Sequence, residues 1–175
     1  MAQTASSPTS NPWLNLLPDP GSTRAASERL VRALEAHASA EAIDIATCED
    51  LARRTQEPSV KLLLGLVVED GHRHCVLLDS MVCRLDGGTR GVTSTAAPTA
   101  DNSAPLSDVE LAAALRTLIR DEHENARHLR HVGRQEAPLY DGLYTALLET
   151  IARDSEKHAT LLRYLLKQLE RSQTC

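Results

Sequence analysis

The chain has 175 residues, a length that suits a single domain with a full core, and only 2% of them are aromatic, with no Phe. This aliphatic composition favours a helix bundle over a β-sandwich, and the net charge of −5 offers no basic face to nucleic acid. No apolar run could span a bilayer and the N-terminus lacks the pattern of a secretory signal, so we expect a cytoplasmic protein without membrane contact.

The N-terminal residues 1–21 are rich in Ser, Thr, Pro, Asn and Ala, a composition that predicts a disordered tail. A small apolar cluster between Trp13 and Leu17 lies within this tail, and we expect it to dock loosely on the rest of the protein. Residues 22–173 are predicted to form one folded domain.

Two long helices are predicted in the first half of that domain. Helix one should begin near Ser22 or Thr23 and end near Gln56. Helix two should begin at Pro58, because proline is tolerated in the first helical turn, and end near Leu85.

Two more helices are predicted in the second half. Ser107 and Glu110 have the spacing of a capping box, which predicts the start of helix three, and Gly133 is expected to end it. Helix four is expected to begin at Pro138 and to continue almost to the C-terminus.

The lengths of the connections predict the topology. Short turns join helices one and two and helices three and four, so each pair should form an antiparallel hairpin. The loop 86–106 is long enough to cross a bundle of about 40 Å, because an extended residue spans ~3.3 Å. We therefore predict an all-α, antiparallel four-helix bundle with one long crossover between helices two and three, as in ferritin-like folds.

Each predicted helix carries an aliphatic stripe at 3–4 spacing, and polar residues interrupt each stripe near its middle. The helical period places each stripe on one face, so the polar residues are predicted to point inward as well. The stripes are Leu30, Leu34, His37, Glu41, Asp44, Cys48 and Leu51; Val60, Leu64, Val67, Gly71, His74, Leu78, Met81 and Leu85; Leu111, Leu115, Leu118, Glu122, Asn125, Leu129 and Val132; and Tyr144, Leu148, Ile151, Ser155, His158, Leu162, Leu165 and Leu169.

Four of these interrupting residues have the chemistry of metal ligands. They are Glu41, His74, Glu122 and His158. Buried carboxylates and imidazoles are costly unless they are paired or bound to a metal. Two Glu and two His at one level of a bundle therefore predict a metal site.

A weak internal repeat relates the two halves of the chain. Glu41-x-x-Asp44 matches Glu122-x-x-Asn125, and the second helix of each half carries Asp, a small residue and then His. The segments LVVEDGHRHCVLLDSMV and IARDSEKHATLLRYLL resemble the second and fourth helices of the ferritin-like, rubrerythrin-type di-iron carboxylate family. The resemblance covers about residues 25–170.

The resemblance implies roles for particular residues. Glu41 and Glu122 match the terminal carboxylate ligands of that family, and His74 and His158 match its histidine ligands. Asp70 and Asp154 match the residues that often support those histidines from behind.

The chain departs from the family at both bridging glutamates. Gly71 and Ser155 stand in those positions, and a dinuclear centre needs bridges to hold two cations ~3.5–4 Å apart. The small residues are expected to leave space for water, a weakly held cation or a small ligand, with Asp44 and Asn125 as additional oxygen donors or supporting groups.

Two functions remain open from the sequence. The first is a reduced site in which two Glu and two His hold Fe, Mn or Zn. The second is a metal-free relative in which Glu41–His74 and Glu122–His158 are hydrogen-bonded pairs and the bundle serves binding or assembly. The sequence leaves open whether the protein is an enzyme and identifies no catalytic residue, although iron with open coordination positions would permit O₂ or peroxide chemistry. A homodimer is plausible for such bundles.

The remaining His and Cys residues are predicted to be structural or exposed. His37 is expected to be a hydrogen-bonded core histidine, and the string from Glu69 to His72 lies off the buried stripe. A solvated face of helix three is expected to hold His123, His128 and His131, and all the cysteines are expected to be reduced thiols: Cys48, Cys75, Cys83 and Cys175.

Overall fold

The computed structural model describes residues 20–86, 104–135 and 142–172. These residues form four α-helices and no strand: α1 (Pro20–Arg54), α2 (Pro58–Leu85), α3 (Asp108–Gln135) and α4 (Leu143–Ser172). The all-α prediction is confirmed.

The core divides into two apolar clusters that define the direction of each helix. One cluster joins the beginnings of α1 and α4 to the ends of α2 and α3. The other cluster joins the ends of α1 and α4 to the beginnings of α2 and α3. Each helix is therefore antiparallel to the two helices it packs against most, and α2 is parallel to α3.

The predicted crossover follows from these directions. Helix α2 ends in the first cluster, whereas α3 begins in the second, so the end of α2 and the start of α3 lie at opposite ends of the bundle. The start of α3 is attached to the end of α1, where the Leu106 N–H donates to the Arg54 carbonyl oxygen (3.4 Å) and Arg54 Nε donates to the Ala104 carbonyl oxygen (3.1 Å).

Local signals explain most helix boundaries. The Glu110 amide donates to Ser107 Oγ (3.3 Å) and the Ser107 amide donates to Glu110 Oε2 (3.0 Å), so the predicted capping box is present. Pro58 occupies the first turn of α2 as predicted.

Three boundaries differ from the sequence-based predictions. Helix α1 begins at Pro20 and ends at Arg54, and α3 continues two residues past Gly133, to Gln135. The predicted start of helix four at Pro138 and most of the predicted N-terminal tail, with its apolar cluster between Trp13 and Leu17, lie outside the described residues.

Candidate functional site

A layer of buried polar side chains separates the two apolar clusters. Its members are His37, Glu41, His74, Glu122, Ser155 and His158, each with at most 5% of its surface exposed. All four predicted metal ligands are in this layer, so the prediction that they point into the bundle is confirmed.

The four predicted ligands form two separate Glu–His pairs. His74 Nδ1 lies 3.0 Å from Glu41 Oε1, and His158 Nδ1 lies 2.9 Å from Glu122 Oε1. The imidazole rings of the two pairs are neighbours, with ring centroids 5.8 Å apart.

The second nitrogen of each imidazole contacts an aspartate from the opposite helix. His74 on α2 contacts Asp154 of α4 through Nε2 (3.2 Å). His158 on α4 contacts Asp70 of α2 in the same manner (3.2 Å). The aspartate of each helix thus contacts the histidine of the other helix, and each imidazole lies between two carboxylates.

Lys157 joins the two aspartates at the edge of the layer. Its Nζ donates to Asp70 Oδ2 (2.6 Å) and to Asp154 Oδ1 (2.6 Å), and Arg73 also pairs with Asp70. Burial alone would raise the pKa of Asp70, but the hydrogen bonds from Lys157 and His158 outweigh it and lower that pKa to about 2. The pKa of Asp154 is lowered for the same reasons, with His74 as its imidazole partner.

The surrounding carboxylates favour the charged form of both imidazoles. Burial disfavours imidazolium, but the hydrogen bonds to two carboxylates are stronger, so the pKa values of His74 and His158 are raised. A neutral imidazole carries only one N–H, whereas each of these rings faces an acceptor at both nitrogens. In the absence of a metal, we therefore assign both rings as imidazolium.

Three polar atoms in the layer have no hydrogen-bond partner. They are His37 Nε2, Glu122 Oε2 and Ser155 Oγ. Native proteins leave few buried polar atoms unpaired, and each exception calls for an explanation such as a water or an ion. His37 was predicted to be hydrogen-bonded, but its Nε2 is not, because the nearest carboxylate oxygen, Glu41 Oε2, lies 3.7 Å away.

The prediction that Gly71 leaves open space is wrong. A Cβ on Gly71 would lie 2.8 Å from Ile45 Cγ1 and 3.2 Å from Glu41 Oε1. The Ile45 side chain of α1 therefore fills the volume that a bridging glutamate of α2 would need. Because Ile45 is buried and Asp44 is only half-buried, the inward stripe of α1 passes through position 45.

The additional oxygen donors lie beside the layer rather than in it. Asn125 Nδ2 donates to Asp44 Oδ2 (3.2 Å), which joins α3 to α1. Burial and the neighbouring Glu122 and Glu41 carboxylates raise the pKa of Asp44 to about 6. Asp44 also lines a cavity of about 380 Å³ between α1 and α3, but none of the four predicted ligands lines that cavity.

The other predictions for His and Cys residues can be compared with the described part of the chain. Glu69, His72, His128 and His131 are exposed, as predicted, and His123 is half-buried. Cys48, Cys75 and Cys83 are free thiols, whereas Cys175 lies outside the described residues. Burial raises the pKa of Cys48 to about 12 and that of Cys75 to about 11.

Residues 20–86, 104–135 and 142–172 contain no group of three or more His, Cys, Asp or Glu side chains arranged to hold a metal ion as they stand. None of the four helices is long and apolar enough to cross a membrane. Comparisons with protein-family models, curated proteins and solved structures found no match.

Sequence reasoning missed two residues that shape the layer. Lys157 looks like a surface residue in sequence, although its position three residues after Asp154 is the spacing of a helical ion pair. Ile45 lies next to the assumed stripe, and an alternative 4–4–3 spacing from His37 through Glu41 to Cys48 would have included it.

Proposed function

We propose that this bundle is a ferritin-like metal-binding protein that holds one divalent transition-metal ion in its polar layer. The candidate ligands are Glu41, His74, Glu122 and His158, and the ion would be Fe, Mn or Zn. The observation that carries the proposal is that each imidazole presents Nδ1 to a buried glutamate while an aspartate holds its Nε2. Metal-binding histidines are usually held in this way by a second group.

The donor atoms of the layer suit such an ion. Carboxylate and imidazole groups together bind Fe, Mn and Zn, and a bound Fe²⁺ would add redox chemistry to the layer. Glu122 Oε2 and Ser155 Oγ are buried and have no partner, so oxygen donors remain available. These observations support a fit between the residues and a cation.

The surrounding residues have roles of their own in this proposal. Asp70 and Asp154 orient the imidazoles from behind, and Lys157 fixes both aspartates. Ile45 occupies the place of one bridging carboxylate, which supports a single ion rather than a dinuclear centre.

The test is metal analysis of tag-free protein after reconstitution with Fe²⁺, Mn²⁺ or Zn²⁺. We expect about one equivalent in the parent and a large loss in E41Q/H74Q. A matched control is E69Q/H72Q, because it removes the same residue types from exposed positions of α2. Binding should also release protons, since a ligating imidazole must lose its Nδ1 proton. A parent that takes up no metal, or equal uptake by both variants, would refute the proposal.

A metal-free bundle for binding or assembly is the second candidate, and the charges of the layer favour it. Four carboxylates face four cationic groups when both imidazoles are protonated, so the layer is balanced without an ion. The carboxylates are Glu41, Glu122, Asp70 and Asp154, and the cations are His74, His158, Lys157 and Arg73.

This second function also requires a partner, and a second copy of the chain is the predicted one. Sedimentation of the metal-free protein across a concentration series would detect a homodimer. Absence of metal from the reconstituted parent together with a concentration-dependent dimer would favour this candidate over the first. The homodimer and the cytoplasmic location both stay predictions.

A further inference from the structure

His37 is a buried imidazole that the Glu–His pairs do not account for. It lies on α1 one turn before Glu41, only 3% of its surface is exposed, and its Nε2 has no hydrogen-bond partner. A buried imidazole nitrogen without a partner loses its hydration and gains no hydrogen bond in return. Its position therefore calls for a group that Nε2 could bind.

The two oxygens of Glu41 face two different imidazoles. Glu41 Oε1 lies 3.0 Å from His74 Nδ1, and Glu41 Oε2 lies 3.7 Å from His37 Nε2. Two donors on one cation with bonds of ~2.1 Å can be at most about 4.2 Å apart. Both separations are within this limit, so Glu41 could share an ion with either imidazole.

A second imidazole lies against the ring of His37. The two rings, His37 of α1 and the exposed His128 of α3, stack with centroids 6.3 Å apart. An imidazole nitrogen without a proton keeps a lone pair for a metal.

We propose that His37, Glu41 and His74 together bind the metal ion, as a two-histidine, one-carboxylate site between α1 and α2. This ligand set is typical of mononuclear Fe²⁺ sites with open coordination positions. The proposal rests on the proposed function, that the layer holds one divalent ion, and it changes the ligand set. Glu41 and His74 stay, and His37 takes the place of Glu122 and His158. Each ring nitrogen of His74 faces a carboxylate, so a cation that binds Nδ1 would displace any proton held there.

Glu122 and His158 keep their hydrogen bond in this assignment. Their side of the layer offers one imidazole, His158, whereas the side of Glu41 offers two. The assignment therefore predicts the release of about one proton per ion, rather than the two that a site with both His74 and His158 would release.

The test compares H37Q with H158Q, using Co²⁺ as a spectroscopic probe and Zn²⁺ for calorimetry. The control is H72Q, which removes an exposed imidazole of α2. We expect H37Q to weaken binding by more than ~100-fold and to change the visible Co²⁺ spectrum, since even supporting residues contribute ~10–100-fold to affinity. H72Q should retain the parent spectrum and affinity, and H158Q should weaken binding far less than H37Q.

The outcomes distinguish failure of the His37 assignment from failure of the proposed metal function. Parent-like Co²⁺ binding by H37Q together with its loss in H158Q would overturn the assignment of His37 but leave the metal function intact. No binding by the parent would overturn both. Should H37Q fail to fold, ¹⁵N NMR of the parent decides, because Zn²⁺ must shift the His37 Nε2 resonance if this nitrogen is a ligand.

Discussion

Replacement of Gly71 by alanine tests whether Ile45 fills the place of the missing bridging carboxylate. The added Cβ would lie 2.8 Å from Ile45 Cγ1 and 3.1 Å from Ile45 Cδ1, which is too close without movement. Overpacking of a core usually costs ~1–3 kcal/mol, whereas alanine gains ~1 kcal/mol over glycine from helix propensity. We therefore expect G71A to lower the free energy of unfolding by about 1 kcal/mol.

Gly65 provides a matched control on the same helix. It is exposed, and a Cβ there would meet no atom within 4 Å. G65A should therefore raise the free energy of unfolding by up to ~1 kcal/mol through helix propensity alone. Urea denaturation of both variants should show a difference of about 2 kcal/mol between them.

Substitutions at Ile45 identify which of its atoms clashes with the Cβ that G71A adds. I45V removes Cδ1 but keeps a methyl group at the position of Cγ1, so it should relieve little of the clash with the alanine introduced by G71A. I45A removes both atoms, so in that background only Glu41 Oε1, 3.2 Å away, stays close to the added Cβ, and G71A should destabilise the protein little or not at all. A double-mutant cycle should give a coupling of about 2 kcal/mol for I45A and much less for I45V. Equal stabilisation by G71A and G65A, or equal coupling for both Ile45 variants, would refute this account of the packing.

Three further predictions concern charge and burial. D44N should stabilise the protein above pH 6 by about 1 kcal/mol, a value reduced from the full pKa shift because Asp44 is only half-buried, and this gain should vanish below pH 4. The sign follows because the pKa of Asp44 is about 6 in the folded protein and lower in the unfolded chain, so ionisation of Asp44 opposes folding. Urea denaturation from pH 3.5 to 8 measures the effect. K157M should raise the pKa of Asp70 above its present value of about 2, which carboxyl ¹³C NMR can follow; an unchanged pKa would mean that Lys157 does not fix this aspartate. Cys48 should resist iodoacetamide at pH 8 in native protein and react after unfolding in urea, as read by mass spectrometry, because the pKa of its buried thiol is about 12.

The helices and their buried faces could be predicted from the sequence because both depend on local periodicity. Only one rotation of the helix buries a stripe such as Leu111, Leu115 and Leu118. The polar residues at the same spacing lie on the same face and are buried with it. The crossover was predictable for a similar reason, since a connection of this length permits parallel α2 and α3. Helix directions and the existence of a buried polar layer could therefore be inferred from the amino-acid sequence alone.

The pairing inside the layer could not be predicted, because periodicity gives the angle of a residue around its own helix and nothing about its partner. The contact of Asp70 with His158 crosses from α2 to α4 and depends on the height and rotation of both helices. Ile45 was missed because two adjacent positions of α1 both satisfy 3–4 spacing, and only packing against Gly71 decides between them. The unpaired nitrogen of His37 likewise depends on a separation of 3.7 Å that no sequence spacing encodes.

The charges around the layer explain how it could accept a cation without a large electrostatic penalty. The four carboxylates and four cations of the two pairs and their supporting residues balance when both imidazoles are protonated. Asp44, which is ionised above about pH 6, adds one negative charge beside Glu41 and Glu122. A divalent ion that displaces a single proton from His74 adds one positive charge, which offsets Asp44. Because unbalanced charge inside a bundle is costly, exchange of one proton for one cation is the substitution that this layer could best tolerate.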